Sequence, residues 1–389
     1  MGKKLMQTTN NGAWDVPFNQ PRVVGDEISY IQDSIKRGHL SGDGYYSARC
    51  KSLLREMTCS QDVLLTHSCT AALEMAAILC KLQPRDEVIM PSFTFTSTAN
   101  AVVLRGAIPV FVDIDPVTLN IDPASVEAAI TPRTKAIFVV HYAGVPADMT
   151  PLRAISSANN LVLVEDAAQA LGSRYKGQPC GSLADIGTIS FHATKNIISG
   201  EGGAITLNRS DLLERAEIIR EKGTNRSQFS RGEVVKYTWV DLGSSYLPSE
   251  LVTAFLLAQL ETEAIQRKQR LAIANAYDTA FSPLASKGRL SLPHLPDGCE
   301  GNGHIFFMIL QSPADRTRFI AKMGEAGIQT TIHYIPLHTS PAGLKFGRFD
   351  RQLTVTDHIA DCLVRLPIYP GLEASLPRVI ESALAYFNN

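Results

Sequence analysis

The chain has 389 residues, 45% of them hydrophobic and 19% charged, with 37 Lys plus Arg against 38 Asp plus Glu and a formal net charge of −1. That length exceeds the ~100–200 residues usual for one domain, so a large core with a smaller one appended is expected. Near-neutral charge speaks against a nucleic-acid binder and the apolar content against disorder, while apolar runs no longer than Ala136 to Val140 or Leu161 to Val164 exclude a helix of ~20 residues spanning a bilayer.

Taken in chain order, Met1 to Asp15 is polar and lacks the apolar stretch of a signal peptide. Seven scattered cysteines contain no CxxC pair and nine histidines no HExxH, so neither a disulfide framework nor a metal site is expected, and the compartment expected is the reducing cytoplasm. From about Asp62 to Leu207, β-branched runs alternate with amphipathic segments. The strands read as Val63–Thr66, Glu87–Met90, Val110–Val112, Ala136–Val140, Leu161–Glu165, Thr188–Ser190 and Ala204–Leu207. Helical patterns fall at Thr70–Leu82, Ser97–Leu104, Ala124–Ile130 and Thr150–Asn159. Ile137-Phe138-Val139-Val140 is apolar on both faces, as in a mostly parallel sheet covered by helices on each side. The fold class is therefore α/β. Ser249 to Gln266 has helical spacing throughout and reads as one long helix. Beyond it, strand-like Ile305–Leu310 and Gln329–Ile335 flank helical Asp315–Ala326, which suits a smaller α+β domain. The division is drawn as 1–275 and 276–389.

Neither GxGxxG nor GxxxxGK[ST] occurs, and the glycine-dense Gly200-Glu201-Gly202-Gly203 precedes a strand where a dinucleotide loop follows one. Thr66-His67-Ser68-Cys69-Thr70-Ala71-Ala72 does follow a strand and enters a helix, with small and hydroxyl residues that suit a phosphate or a plain N-cap. Glu165-Asp166-Ala167-Ala168-Gln169 sets a carboxylate at the carboxyl end of a central strand, where ligands of open α/β sheets sit and where a carboxylate also caps helices. In Ser190-Phe191-His192-Ala193-Thr194-Lys195-Asn196, a lone lysine lies between a strand and a glycine turn. It is either an amine of depressed pKa or a surface residue.

Jointly these stretches resemble the site of a pyridoxal 5′-phosphate (PLP) enzyme of the aspartate aminotransferase fold, fold type I. More narrowly, the chain resembles the DegT/DnrJ/EryC1/StrS family of sugar aminotransferases. The matching segments are Pro91-Ser92-Phe93-Thr94-Phe95, Val139-Val140-His141-Tyr142-Ala143-Gly144, Glu165 to Gln169, Ser190 to Asn196, Gly200 to Gly203 and His333-Tyr334-Ile335-Pro336-Leu337-His338. The likeness runs from about Val16 to the C-terminus. It implies a large, mostly parallel seven-stranded sheet domain, a smaller α+β C-terminal domain, and a homodimer whose site both subunits build. Pro91 to Asn100, Glu221 to Phe229 and Gly243-Ser244-Ser245-Tyr246-Leu247 are similar to members that make a dTDP-4-amino-4,6-dideoxygalactose. The expected reaction is thus dTDP-4-keto-6-deoxy-D-glucose plus L-glutamate to the dTDP-4-amino-4,6-dideoxy sugar, galacto or gluco, plus 2-oxoglutarate.

On that resemblance Lys195 forms the Schiff base and moves the proton, and Asp166 faces the pyridine nitrogen. Gln169 lies near the phenolic oxygen, Phe95 stacks on the ring, and Cys69, Thr70 and Ser190 hold the phosphate. Many members have Gly-x-Asn-Tyr-Arg where this chain has Gly243 to Leu247, so Ser245 replaces an Asn that reaches the neighbouring subunit's phosphate. Being shorter, it puts that direct bond in doubt. His192, Asn225, Arg226, Tyr246, His333 and His338 are candidate substrate contacts. Structural hydrogen bonding for His192 and His338, and a solvated surface position for Arg226, are the other readings. Family dehydratases carry His in place of the lysine, and a PLP-binding regulator of DNA would need a basic appendage; the chain shows neither feature.

Overall fold

The computed structural model describes residues 14–388. The absence of a signal peptide, read from Met1 to Asp15, falls outside them except for Trp14 and Asp15. The seven expected strands are present as β1 (Asp62–Thr66), β2 (Glu87–Pro91), β3 (Ile108–Val112), β4 (Thr134–Val140), β5 (Val162–Asp166), β6 (Ile186–Ser190) and β7 (Gly203–Leu207). They form one sheet in the order β1-β7-β6-β5-β4-β2-β3, and β7, antiparallel to both neighbours, alone runs against the rest.

Period-two alternation sorts the side chains of this sheet into two cores. Ala136 and Phe138 join Val88, Met90 and Val164 beneath α1 (Cys69–Leu79) and α2 (Thr96–Val103). Ile137 and Val139 join Ile89, Val110 and Leu163 against the helices Pro123–Ala128 and Met149–Ala158. With both faces covered, β4 has no polar residue after Lys135, which is why its sequence is continuously apolar. Register sets Val140 opposite Asp166, Asp166 opposite Thr188, and Gly203 opposite both Thr66 and Ser190. The carboxyl ends of β1, β5 and β6 thus share one edge of the sheet.

The helix expected over Ser249 to Gln266 is two helices, α3 (Glu250–Glu261) and α4 (Glu263–Ala285), broken at Thr262 (φ −104°, ψ 6°). The 275/276 division falls inside α4, whose Ile273, Tyr277 and Phe281 belong to the second core. Val16 belongs there too, because its N–H and C=O bond to Gly327 and Gln329. This core closes over the sheet β8 (Leu290–Ser291), β9 (Phe306–Leu310) and β10 (Leu363–Leu366), with α5 (Pro313–Glu325) and α6 (Leu376–Asn388). Gln329–Ile335 is not a strand. Only Thr331 bridges, to Arg365, after which the chain crosses to the large sheet, where the Leu337 N–H donates to the Ser92 carbonyl. No helix among the described residues is long and apolar enough to cross a membrane.

Glu87, wholly buried at the start of β2, joins the sheet to the segment after Gly347 through Arg348 (2.8 Å), with Thr131 (2.6 Å) and Arg133 completing its shell. Burial pushes its pKa up, but the bonds from Arg348, Thr131 and Arg133 outweigh that and hold it down to about 2. Because the folded value lies below the unfolded one, the stabilisation is complete above the unfolded value of 4.5 and is lost as pH falls through 2. Urea midpoints should register a loss of about 3 kcal/mol across that window at ~1.4 kcal/mol per unit, and Glu87→Gln should flatten it.

Candidate active site

Asp166 ends β5 almost fully buried, with Oδ2 accepting from Thr98 Oγ1 at 2.8 Å and Oδ1 from the Ala168 N–H at 3.2 Å. Burial raises its pKa; Thr98, Ala168 and the Lys195 charge pull the other way. Lys195 lies in the turn after β6, partly buried, its N–H bonded to the His192 carbonyl. Burial pushes its ammonium below the ordinary lysine range, opposed by Cys69 and Asp166 and aided by Arg365. Such an amine sheds its proton more readily than a solvated lysine, the condition for a nucleophile or proton carrier.

The start of α1 supplies the groups for an anion. Ser68 caps the helix by accepting from the Ala71 N–H at 3.1 Å, which leaves the N–H groups of Cys69 and Thr70 without intrahelical partners. The cap and phosphate readings of this stretch are therefore compatible. Gly203 makes the approach possible: a Cβ there would lie 2.4 Å from the Cys69 nitrogen. Thr70 shares a hydrogen bond with Ser97 at 2.8 Å, and Ser190 ends β6 with its Oγ toward the His192 N–H.

Gln169 is fixed at both ends, Oε1 accepting from the Ala143 N–H at 2.7 Å and Nε2 donating to Tyr334 Oη at 2.6 Å. Phe95, the residue before α2, leaves 57% of its surface open, whereas Phe93 is the aromatic packed against Tyr142 and Tyr334. His192 lies at the mouth beside Thr194 and Glu201. His333 Nδ1 accepts from Arg365 at 2.7 Å; burial, then Arg365 and Lys195, push its pKa down to about 2, so the ring is neutral.

Two expected substrate contacts have other work. His338 is buried, its Nδ1 bonded to Ser92 Oγ at 2.7 Å and its Nε2 facing Asp357 at 3.4 Å, so both ring nitrogens are engaged in joining segments of the fold. Tyr246 is packed in the core beneath α1, with its hydroxyl donating to Glu74 at 3.1 Å. Asn225 and Arg226 are not beside Lys195 either. Asn225 Oδ1 accepts from the Thr238 N–H, and Arg226 faces Glu221 at 3.3 Å in a cavity of about 400 Å³ that Asp43 and Arg220 also line. Exposed Ser245 bridges to Glu221 on that same side.

Sequence reasoning missed Thr98, His304, Tyr334 as a side-chain anchor, and Arg365. Arg365 had a signal, a lone charge inside the apolar run of β10. His304 did not: it reaches the site by donating from Nδ1 to Asn196 Oδ1, 2.8 Å away, across 108 positions of chain. One group of three possible metal ligands occurs among the described residues, His141, Glu165 and Cys180. The His141 nitrogens are engaged by the Ala147 N–H and by Glu165, and the Glu165 oxygens by three further N–H groups, so hydrogen bonding accounts for the cluster.

A family model described as the DegT/DnrJ/EryC1/StrS aminotransferase family matches residues 21–383. The chain belongs to that family. The aminotransferase is 32% identical over 366 residues to GDP-perosamine synthase of Caulobacter vibrioides, covering 92% of this chain and 95% of that one. It is 32% identical over 365 residues to the spore coat polysaccharide biosynthesis protein SpsC of Bacillus subtilis, covering 92% and 93%. Among solved structures, the aminotransferase TlmJ of Streptoalloteichus hindustanus superposes with a TM-score of 0.88 at 28% identity, covering 96% of this chain and 99% of that one. The fold is that of the type I PLP enzymes, and PLP is the cofactor. The residues present fit it: a helix start with free N–H groups for a phosphate, a buried carboxylate for a cationic ring nitrogen, and an amine of lowered pKa for an aldehyde.

Proposed function

We propose that this aminotransferase moves the amino group of L-glutamate to C4 of dTDP-4-keto-6-deoxy-D-glucose, giving dTDP-4-amino-4,6-dideoxy-D-galactose and 2-oxoglutarate, with the gluco epimer as the alternative product. The juxtaposition that carries the reading is Lys195 and Asp166 on the sheet edge shared with the start of α1. When bound, PLP supplies an aldehyde that takes up the amine and a ring that draws electrons from the adjoining carbon. Cys69, Thr70 and Ser190 hold the phosphate, Asp166 keeps the ring nitrogen protonated, and Phe95 covers a ring face. Lys195 Nζ would carry the proton between the donor carbon and the adjoining carbon of the cofactor. Retention of lysine at this position favours transamination over the dehydration carried out by members with histidine there.

The remaining residues fit a homodimer with shared sites. Arg226 lines a cavity with Asp43 and Glu221 that Lys195 does not line, Asn225 precedes Arg226 in the chain, Ser245 bridges to Glu221, and the nearby segment exposes Trp239 and Val235. In a dimer these groups serve the neighbouring subunit's ligand. The names of the Caulobacter and Bacillus relatives, a GDP-linked sugar and a polysaccharide, support a sugar-nucleotide acceptor without choosing its nucleotide.

Incubation with L-glutamate and either the dTDP- or the GDP-linked 4-keto-6-deoxy sugar tests the reading. Product should form with the dTDP sugar, one 2-oxoglutarate per amine, and proton couplings at C4 will assign the epimer. Turnover of the GDP sugar alone would overturn the nucleotide, and turnover of neither the whole assignment. Thr98→Val removes a charge-assisted bond to Asp166, so titration of the apo-protein with PLP should show affinity reduced by about tenfold or more.

A further inference from the structure

One short segment of the smaller lobe holds both halves of the site. Asn302 and His304, just before β9, are 1% and 5% exposed. Asn302 Nδ2 donates to the Gln169 and Leu171 carbonyls, at 2.8 and 2.9 Å, in the loop that follows Asp166. Its Oδ1 accepts from the His304 N–H at 3.0 Å, and its carbonyl accepts from Asn196 Nδ2 at 3.0 Å. Asn196 Oδ1 accepts in turn from His304 Nδ1 at 2.8 Å. Both ends of the Asn196 side chain are thus fixed by residues 106 and 108 positions away. Gly303 allows the bend between Asn302 and His304: its φ is +65°, and a Cβ there would lie 2.9 Å from the Arg270 carbonyl carbon. Arg270 supports the bend, its Nη1 facing the carbonyls of Gly303 and His304.

The direction of each bond follows from what the partners can do. The Asn302 carbonyl only accepts, so Asn196 turns Nδ2 toward it and Oδ1 toward His304, whose Nδ1 must carry the proton. Burial, then the charges of Lys195 and Arg270, push the His304 pKa well below its ordinary range, so the ring is neutral. The bond therefore joins two neutral groups and adds no charge beside Lys195.

Lys195 needs an external support. Its own N–H bonds within the turn, to the His192 carbonyl. Before it in the chain, the Ala193 carbonyl accepts from Asn19 Nδ2 at 3.2 Å; after it comes the doubly held Asn196. Fixing the turn on both sides fixes where Nζ can reach. A displacement of about 1 Å at a reacting group costs on the order of 10²-fold in rate, so an anchor of this kind has a kinetic consequence. We infer that Asn196 is a positioning residue for Lys195, and that Asn302 and His304 act through it to hold the lysine turn in register with the Asp166 end of β5. The inference rests on the reading of Lys195 given above.

Hydrogen exchange and single-turnover kinetics on the holoenzyme test it. In Asn196→Ala, deuterium uptake over residues 192–200 should quicken about tenfold as the side-chain bonds are lost. The rate at which saturating L-glutamate discharges the lysine-linked absorption should fall about 10- to 100-fold, with the glutamate concentration for half-maximal rate unchanged. His304→Leu should give a smaller loss in the same direction, and His304→Asn, whose Nδ2 can replace the ring Nδ1 as donor, should restore the rate. The double variant of Asn196→Ala and His304→Leu should be no slower than Asn196→Ala alone, because both changes act through one contact. Asn196 is partly exposed, and its alanine variant serves alone where His304→Leu does not fold. A lowered urea midpoint with wild-type rate in the folded fraction, or rate losses that multiply in the double variant, would overturn the assignment. If L-glutamate does not discharge the wild-type absorption, the proposed donor falls and the pH midpoint of that absorption decides Asn196 by itself. It should rise in Asn196→Ala as water reaches the lysine-linked cation, and an unchanged midpoint would remove the positioning role.

Discussion

Lys195→Ala is expected to lower transamination by at least ~10³-fold and to abolish the absorption of the lysine-linked cofactor. Two functions of one atom are lost together. On the proposed reading Nζ is the covalent anchor and also the base that carries the proton, a role that alone contributes about 10²- to 10⁴-fold. The site is prepared for both, because burial and Arg365 lower the lysine pKa while Asp166 limits that shift. Borohydride followed by intact-mass measurement is the direct check: wild-type protein should gain the mass of the reduced cofactor and the variant should not. Retention of colour or of the fixed mass in Lys195→Ala would remove Lys195 from the reaction.

The fold was legible where hydrophobic periodicity alone decides structure. Ile137 to Val140, apolar at every position, specifies a strand covered on both faces, and all seven strands lie within about two residues of their expected ends. Tertiary contacts decide the rest. Nothing in Glu261-Thr262-Glu263 breaks a helix by composition, yet the chain turns there so that α4 can carry Ile273 and Tyr277 into the second core. Gln329 to Ile335 has strand composition but is drawn away by Tyr334, anchored to Gln169, and by Leu337, anchored to Ser92. The same distinction holds at the site. Asp166 and Lys195 could be singled out from chain neighbours and resemblance. Tyr246 and His338 could not be assigned that way, because whether a polar tip faces a ligand or Glu74 and Asp357 depends on residues remote in sequence.

Asp166→Asn should leave the protein able to bind PLP, with its lysine-linked colour, yet reduce turnover by roughly 10²- to 10³-fold, the range for removing one preorganised electrostatic partner from a transition state. Asparagine keeps the shape and one oxygen, which can go on accepting from the Ala168 N–H, while its NH2 replaces the Oδ2 that accepts from Thr98, whose hydroxyl can accept in turn. What goes is the negative charge. Burial already raises the Asp166 pKa, so the carboxylate is ionised at a cost that a protonated ring nitrogen offsets, and each member of the pair sustains the other's charge. An amide offers the nitrogen no such return, and the ring takes up less electron density from the donor carbon. The defect should therefore fall on the proton-transfer step, and a primary isotope effect with α-deuterated glutamate should be larger in the variant than in the wild type. Full activity in Asp166→Asn would exclude the carboxylate from the electron sink; loss of cofactor with no change in intrinsic rate would assign it to binding alone.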